Sequence, residues 1–496
     1  MGYLYTLYAE AADAAGEALA VDGGRGAWTY AELLERVREF TGRLKRAGAG
    51  AGLRIGVADD LGADLYPAVL AVSALDCSLV PYVADGPQGE RKRLERLGIW
   101  GTVSAGASAV DITAHGAAAR DLHRHAQSEA YVLSTSGSTS APKDVAIGDR
   151  NLESYAGHLR TVARSGPGDR ISQNYQPQFD AFYEVLMMAA LGRSALVVPD
   201  GREHLLVQRF CERWGVTVWN SVPSQVTMAH RLRQLNPGSL PGIKLAVFGG
   251  EALSEHSLAL WRAAAPASTV INSYGPSETT VACTEYVLGP ETEHAGSDVP
   301  IGRVLPHLEG RLVEPAVAPG ELELCVRGPQ IFDGYLDPRH NAGRFYTETD
   351  GRLTPLQHGS PTRGDWYRTG DIVVETERGL VFRRRADHET KVRGKRVDLT
   401  AVEDELRRQP GVTEARVLVL DDAVHAVVET LARGDDAPDL DLTGLRDYAR
   451  PRTVVRVASL PRLPNGKTDL RAVEQLVRQA LRAPAAPLTT TTGGQE

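Results

Sequence analysis

The segment Ser134-Thr135-Ser136-Gly137-Ser138-Thr139-Ser140-Ala141-Pro142-Lys143-Asp144-Val145 crowds six hydroxyl side chains around one glycine, with a lysine near its end. A loop of that make-up can wrap backbone N–H groups and hydroxyls around phosphate oxygens while the ammonium adds charge. It lacks the Gly-x4-Gly-Lys spacing of a Walker A loop, and a solvated turn is the alternative its composition leaves open. Lysine itself is scarce: Lys45, Lys92, Lys143, Lys244, Lys391, Lys395 and Lys467 are seven of the 55 basic residues. Four of them fall in three short segments, 134–145, 385–398 and 464–469. An ammonium meets phosphate or carboxylate as a compact point charge, a task for which arginine's broad planar fork is less suited.

These residues need a scaffold, and the chain is long enough to supply one. It has 496 residues, 42% hydrophobic and 24% charged, with a formal net charge of -8. That allows two to four domains at roughly 100–200 residues each and excludes disorder as the dominant state. The charge balance gives no broad basic field, so nucleic acid is not an expected partner. Cys77, Cys211, Cys283 and Cys325 lie far apart, without the close pairing of a zinc ribbon, and a reducing cytoplasm is the simplest setting. The longest apolar run, 185–191, is far short of the ~18–20 residues of a membrane helix, and no secretory leader is evident.

Residues 28–48 read as a helix, with Thr29 as N-cap, Glu32 as its capping-box partner and Gly48 as the stop. β-Branched runs at 55–58, 78–82, 195–199, 216–220, 244–248 and 269–272 alternate with helix-period stretches such as 205–214 and 254–264. The alternation predicts an α/β fold of largely parallel or mixed sheets. After residue 300, short strands at 320–326, 372–375 and 379–383 predict a β-rich subdomain to about 386. A small α+β domain is expected over 387–482, with a helix at 400–409, strands at 415–420 and 424–429, and a last helix at 470–481. The low-complexity tail 483–496 is expected to be disordered.

The hydroxyl-rich loop resembles the phosphate loop of the adenylate-forming superfamily, which includes acyl-CoA synthetases, luciferases and the amino-acid adenylation domains of peptide synthetases. Ser140 and Asp144 stand where that family has glycines. A mobile loop tolerates Ser140, whereas Asp144 puts an unfavourable charge beside a triphosphate. The resemblance continues in order: Phe248-Gly249-Gly250-Glu251-Ala252-Leu253, then Asn272-Ser273-Tyr274-Gly275-Pro276-Ser277-Glu278-Thr279-Thr280, then 320–338. It runs on through Tyr367-Arg368-Thr369-Gly370-Asp371, the hinge-like 385–398 and Pro464-Asn465-Gly466-Lys467. Without the family these are turns and an exposed charged hairpin; their ordered co-occurrence favours the functional reading.

The resemblance implies ATP and Mg²⁺. Asn272 would hydrogen-bond the adenine amine, Tyr274 would stack on the ring, Asp371 would accept the ribose hydroxyls, Arg385 would contact the ribose and Glu278 would hold the metal. Ser134, Thr135, Ser136, Gly137, Ser138, Thr139, Lys143, Gly250, Glu251, Ser273, Gly275 and Thr279 complete the implied ATP-binding set. Lys467 would bridge the substrate carboxylate and the α-phosphate, making it and Glu278 the catalytic pair, and Asp387 would be the hinge of the small domain.

Phe179-Asp180 is similar to the segment in which an aspartate pairs with the α-ammonium of an amino acid. Asp180 and Glu184 are four residues apart where the family has five, which could rotate that carboxylate away. The implied acid pocket is Asp180, Ala181, Tyr183, Asn220, Val247, Gly249, Ser273, Val281 and Ala282. It holds two neutral polar groups, Asn220 and Ser273, and no counter-charge for an ionised side chain, which predicts a small or medium neutral amino acid such as threonine or serine. No carrier segment or condensation motif is visible, so a free-standing enzyme is expected. It would hand its aminoacyl group to the phosphopantetheine thiol of a separate carrier protein, with coenzyme A or an amine as alternative acceptors and a small activating protein as a further partner. A nucleotide-binding module without catalysis is the competing class.

Overall fold

The computed structural model describes all residues except 24–25, 85–87, 106–109, 116–128, 136–142, 163, 202, 293–298, 316–320, 387–388, 393–394, 421–422, 431–439, 443–444, 446–448, 464–467 and 483–496. The chain divides into two compact units, Met1–Arg383 and Arg384–Glu496. The sequence-predicted disordered tail lies outside the described residues.

Among the described residues the first unit is built on three sheets. In the nine-stranded one, Thr269–Tyr274, Leu245–Gly249, Val218–Ser221, Arg170–Ser172, Ala195–Val198 and Leu19–Gly23 lie side by side and parallel. Its margins are antiparallel: Thr284–Leu288 and Arg303–Val304 at one end, Gly26–Thr29 at the other. The second sheet has a parallel centre, Gly101–Ala105, Arg54–Ala58, Ser78–Tyr82 and Glu129–Thr135, flanked by antiparallel Val110–Ala114 and Lys143–Gly148. The third is antiparallel and includes Glu309–Val313, Leu322–Arg327, Trp366–Thr376 and Phe345–Thr349, in the β-rich region expected after residue 300.

Residues 28–48 resolve into the helix Tyr30–Arg46, with the Thr29–Glu32 capping box formed on both sides. Trp28 and Thr29 instead end the strand Gly26–Thr29. The apolar run at 185–191 lies in the helix Asp180–Gly192, buried along nearly its whole length in the largest core cluster. A helix apolar on all sides is a core helix. Among the described residues no helix is long and apolar enough to cross a membrane.

The supposed loop 134–145 is shorter than its composition suggests. Ser134 pairs with Asp144 and Thr135 with Lys143 across an antiparallel ladder, so only 136–142 separates the two strands. The flanking residues are tied into the sheet by Val145, Ala146 and Ile147 opposite Leu133, Val132 and Tyr131. Hydroxyls and charges at strand ends hide a strand that the apolar residues beyond them dictate.

The second unit has its own core. The hairpin Glu389–Val392 with Lys395–Asp398 leads into the helix Leu399–Arg407, and Val397, Val402 and Leu406 pack with Ala415, Val417 and Val424. The strands Val412–Leu420 and Ala423–Thr430 are antiparallel, and a strand missed in the sequence, Thr453–Val457, adds parallel to the latter. The last helix, Leu470–Arg482, buries Val473 and Val477.

Candidate active site

Three parallel strands end together and present the first set of candidates. Asn220 is in register with Val247, Phe248 with Asn272, and Gly249 with Ser273. Side chains alternate across a sheet. Asn220, Val247, Gly249 and Ser273 therefore share one face, and Asn272 and Tyr274 point to the other. Ser273, expected in both sets, falls with the acid-side residues. A Cβ on Gly249 would lie 3.0 Å from the Ser273 carbonyl oxygen, so a side chain there would crowd the neighbouring strand. Asn220 is 1% exposed, and neither its Nδ2 nor its Oδ1 has a partner among the described residues. A buried primary amide with no partner carries a desolvation cost that a polar ligand group would remove.

On the other face, the Tyr274 hydroxyl donates to Asp371 Oδ2, joining the expected ring-stacking and ribose-binding residues directly. Burial and the adjacent carboxylate raise the Tyr274 pKa well above its usual range, so the phenol stays a donor. Asn272 Nδ2 donates to the Pro300 carbonyl at 2.8 Å, which turns its Oδ1 into the group left to accept from an amine. The stretch of strand carrying Asp371 is braced: the Asp371 N–H donates to Thr369 Oγ1, and the Gly370 N–H to Glu323 Oε1, whose other oxygen is held by Arg368 at 2.7 Å.

The turn 275–282 follows directly on the strand Thr269–Tyr274. Gly275 has no room for a Cβ, which would meet Ala282 Cα, Thr279 Oγ1 and the Val281 oxygen at 2.7 Å. Thr280 and Val281 both have positive φ, 53° and 74°. Two adjacent β-branched residues in the left-handed region store backbone strain, about 1–3 kcal/mol each. Glu278, in the middle of the turn, accepts a 2.6 Å hydrogen bond from the Tyr335 hydroxyl, and Lys143 Nζ sits 5.2 Å from the centre of the same phenol ring. The candidate metal ligand and the lysine of the phosphate loop thus meet through Tyr335, a residue to which no role was attached from sequence. The Gly-Tyr pair at 334–335 was the available signal.

Asp180 opens its helix, its Oδ1 accepting from the Ala181 N–H at 2.8 Å. Tyr183, one turn on, is fully buried; its hydroxyl donates to the Pro177 carbonyl and its ring stacks on Tyr131 at 3.9 Å. Burial, and then Asp180 nearby, push both phenols up. Tyr183 is therefore a wall of the region, its polar atom already used. Glu184, the other end of the shortened spacing, faces away from chemistry into an ionic cluster with Tyr155 at 2.6 Å and Arg164 at 2.5 Å.

One expectation is corrected. Asp144 does not confront the phosphate loop with a bare charge. It is buried, Arg93 Nε lies 3.1 Å from its Oδ1, and Arg96 pairs with its Oδ2. Strand alternation turns its carboxylate toward the helix Gln88–Arg96. Glu251 likewise directs its carboxylate to the Ser224 N–H at 3.0 Å, satisfying an orphan donor in the first turn of the helix Pro223–Arg231. One oxygen of its side chain thus serves a helix end, and the neighbouring Gly250 adopts φ 79°.

Ser134 Oγ is buried with no partner among the described residues. Ser136, Gly137, Ser138, Thr139, Ser140, Asp387 and Lys467 lie outside the described residues, as does the side chain of Thr135. Arg385 ends the strand Gly379–Arg385 and belongs to the second unit. Among the described residues no three Asp, Glu, His or Cys side chains cluster to hold a metal.

Residues 91–336 match the family model described as AMP-binding enzyme. The chain is 31% identical over 377 residues to a ligase of L-proline and the L-prolyl-carrier protein from Streptomyces coelicolor, an alignment covering 73% of this chain and 68% of that one. It is 28% identical to a ligase of L-allo-isoleucine and the holo CmaA peptidyl-carrier protein from Pseudomonas savastanoi pv. glycinea, covering 72% of this chain and 60% of the relative, less than two thirds of its length. Among solved structures, IdnL7 superposes with a TM-score of 0.77 at 26% identity, covering 97% of this chain and all of that one.

Proposed function

The chain belongs to the AMP-binding enzyme family, and on that premise we propose that it activates an amino-acid carboxylate with ATP, forming an aminoacyl-adenylate and releasing pyrophosphate. It then passes the aminoacyl group to a separate acceptor, the phosphopantetheine thiol of a carrier protein. The observation that supports this reading most is the shared strand-end register of Asn220, Val247, Gly249 and Ser273, beside a Tyr274 whose hydroxyl is bonded to Asp371. Ligands of open α/β sheets bind at such carboxyl ends.

In the proposed reaction the substrate carboxylate oxygen attacks the α-phosphorus, a new O–P bond forms, and the bond to the β-phosphate breaks with its electron pair leaving on pyrophosphate. Asn272 and Tyr274 hold the base, Asp371 the ribose, and Asp180 the α-ammonium. Lys467 offsets the charge that builds as carboxylate and phosphate approach. Mg²⁺, when bound, offsets charge on the departing pyrophosphate. Glu278 supplies a hard oxygen suited to it, and phosphate and water would complete a shell that no acidic cluster among the described residues provides. In transfer, the thiol sulfur attacks the carbonyl carbon, its proton goes to solvent, and AMP leaves with the electron pair.

The unpartnered amide of Asn220 supports a substrate with a neutral polar side chain, threonine or serine in size and character. The two arginines on Asp144 remove the main motive for reading the protein as a module without catalysis. ATP–pyrophosphate exchange over an amino-acid panel tests the proposal; best activity with Lys, Arg, Asp or an aryl acid would overturn the substrate assignment. Lys467→Ala should lower exchange by about a thousandfold or more while AMP binding persists.

A further inference from the structure

We propose that Gln330, which lies in none of the residue sets above, is a positioning residue. Its side-chain amide clamps the left-handed turn Thr279–Ala282 and so fixes Glu278 and Thr279 on the phosphate side, and Val281 and Ala282 on the acid side. The inference rests on the adenylation reading of this site.

Gln330 is fully buried. Its Nε2 donates to the carbonyl of Thr279 at 2.7 Å, to that of Thr280 at 3.3 Å and to that of Ala282. The Thr280 hydroxyl returns a hydrogen bond to the Gln330 carbonyl at 2.7 Å. One residue pair on, the Phe332 N–H donates to the Glu278 carbonyl at 3.0 Å, so 330–332 run along the turn as a splint. Asn151 Nδ2 holds the carbonyls of Pro329 and Ile331 at 3.0 and 2.8 Å, so the splint is itself anchored.

The amide's orientation follows from its partners. Three carbonyls can only accept, so the nitrogen faces them and Oε1 faces His307 Nε2, 2.6 Å away. His307 is therefore the donor there, and its ring stacks 5.8 Å from His158, which bonds Glu285 at 3.2 Å. The clamp holds a conformation that Thr280 and Val281 would leave if released, because a side chain at positive φ is disfavoured by sterics. A lone glutamine inside the 320–338 stretch carries no spacing signal of its own, which is why sequence attached no role to it.

The test uses full-length Gln330→Met and Gln330→Glu, which keep the length of the side chain and lose its donors. The expected result is a fall of about tenfold or more in kcat for ATP–pyrophosphate exchange and a rise of about threefold or more in the amino-acid KM. AMP affinity by calorimetry should stay within about twofold, because Asn272, Tyr274 and Asp371 lie off the turn. Amide hydrogen exchange should quicken at 277–283 and nowhere else in the first unit. Adding Thr280→Gly to Gln330→Met should recover about threefold or more of the lost kcat, since glycine adopts positive φ without cost. Wild-type exchange kinetics and unchanged 277–283 protection in both variants would overturn the clamp. So would hydrogen exchange that quickens throughout the unit with AMP binding lost, since that is general destabilisation. If the wild-type protein exchanges pyrophosphate with no acid while the variants still loosen 277–283 alone, the adenylation reading fails and the clamp stands.

Discussion

Asp144 shows how a residue that looks harmful in a motif can be necessary in the fold. Its family counterpart is glycine, yet here the carboxylate is buried between Arg93 and Arg96, and Arg93 Nη atoms also hold the carbonyls of Pro81 and Val132. Removing one partner of a buried ion pair leaves the other charge uncompensated. Asp144→Gly, which restores the family residue, should destabilise the protein by about 2–4 kcal/mol in urea unfolding and should not raise turnover. Most of that belongs to Arg93, which is 8% exposed; Arg96 is half in solvent, where ion pairs count for little. An Asp144→Gly protein as stable as wild type would show that the pair is a surface ornament.

At the scale of elements, the site depends on strands whose far ends are also tied together. Asp169, just before the strand Arg170–Ser172, accepts from the Gly166 N–H at 2.9 Å, from Thr217 Oγ1 at 2.7 Å and pairs with Lys244 at 2.5 Å. Thr217 and Lys244 immediately precede the next two strands. Burial alone would raise the Asp169 carboxyl, but Lys244, Thr217 and the Gly166 N–H outweigh it and hold it below the usual carboxylate range. A depressed carboxylate contributes stability that is present above its unfolded value of about 3.9 and is lost as pH falls through the folded one. Asp169→Asn should therefore lower the urea midpoint at pH 7, and its deficit against wild type should shrink below about pH 4. What was legible in the sequence follows the same division between local and distant causes. The Thr29–Glu32 box and the β-branched runs announce their elements because the signal lies within the element. The strand Lys143–Gly148, the arginines facing Asp144, the Ser224 cap made by Glu251 and the Gln330 clamp were hidden, because each is decided by residues far off in the chain.

At the scale of the molecule, the first unit holds the described nucleotide- and acid-side candidates, and Lys467 and Arg385 belong to the second. Residues 1–383 expressed alone should fold, bind AMP within about threefold of the full chain, and catalyse no pyrophosphate exchange. Calorimetry and exchange assays on the two proteins check this, and measurable exchange by the fragment would remove Lys467 from its assigned role. Within the first unit, the hydrogen bond from Tyr274 to Asp371 ties the end of the nine-stranded sheet to the antiparallel one. Base and sugar would therefore not be sensed as separate epitopes. Tyr274→Phe should weaken discrimination against 2′-deoxy-ATP as well as grip on the ring. In a double-mutant cycle with Asp371→Asn the losses should fall short of additivity by about 0.5–3 kcal/mol, the signature of two contacts acting as one cooperative recognition unit.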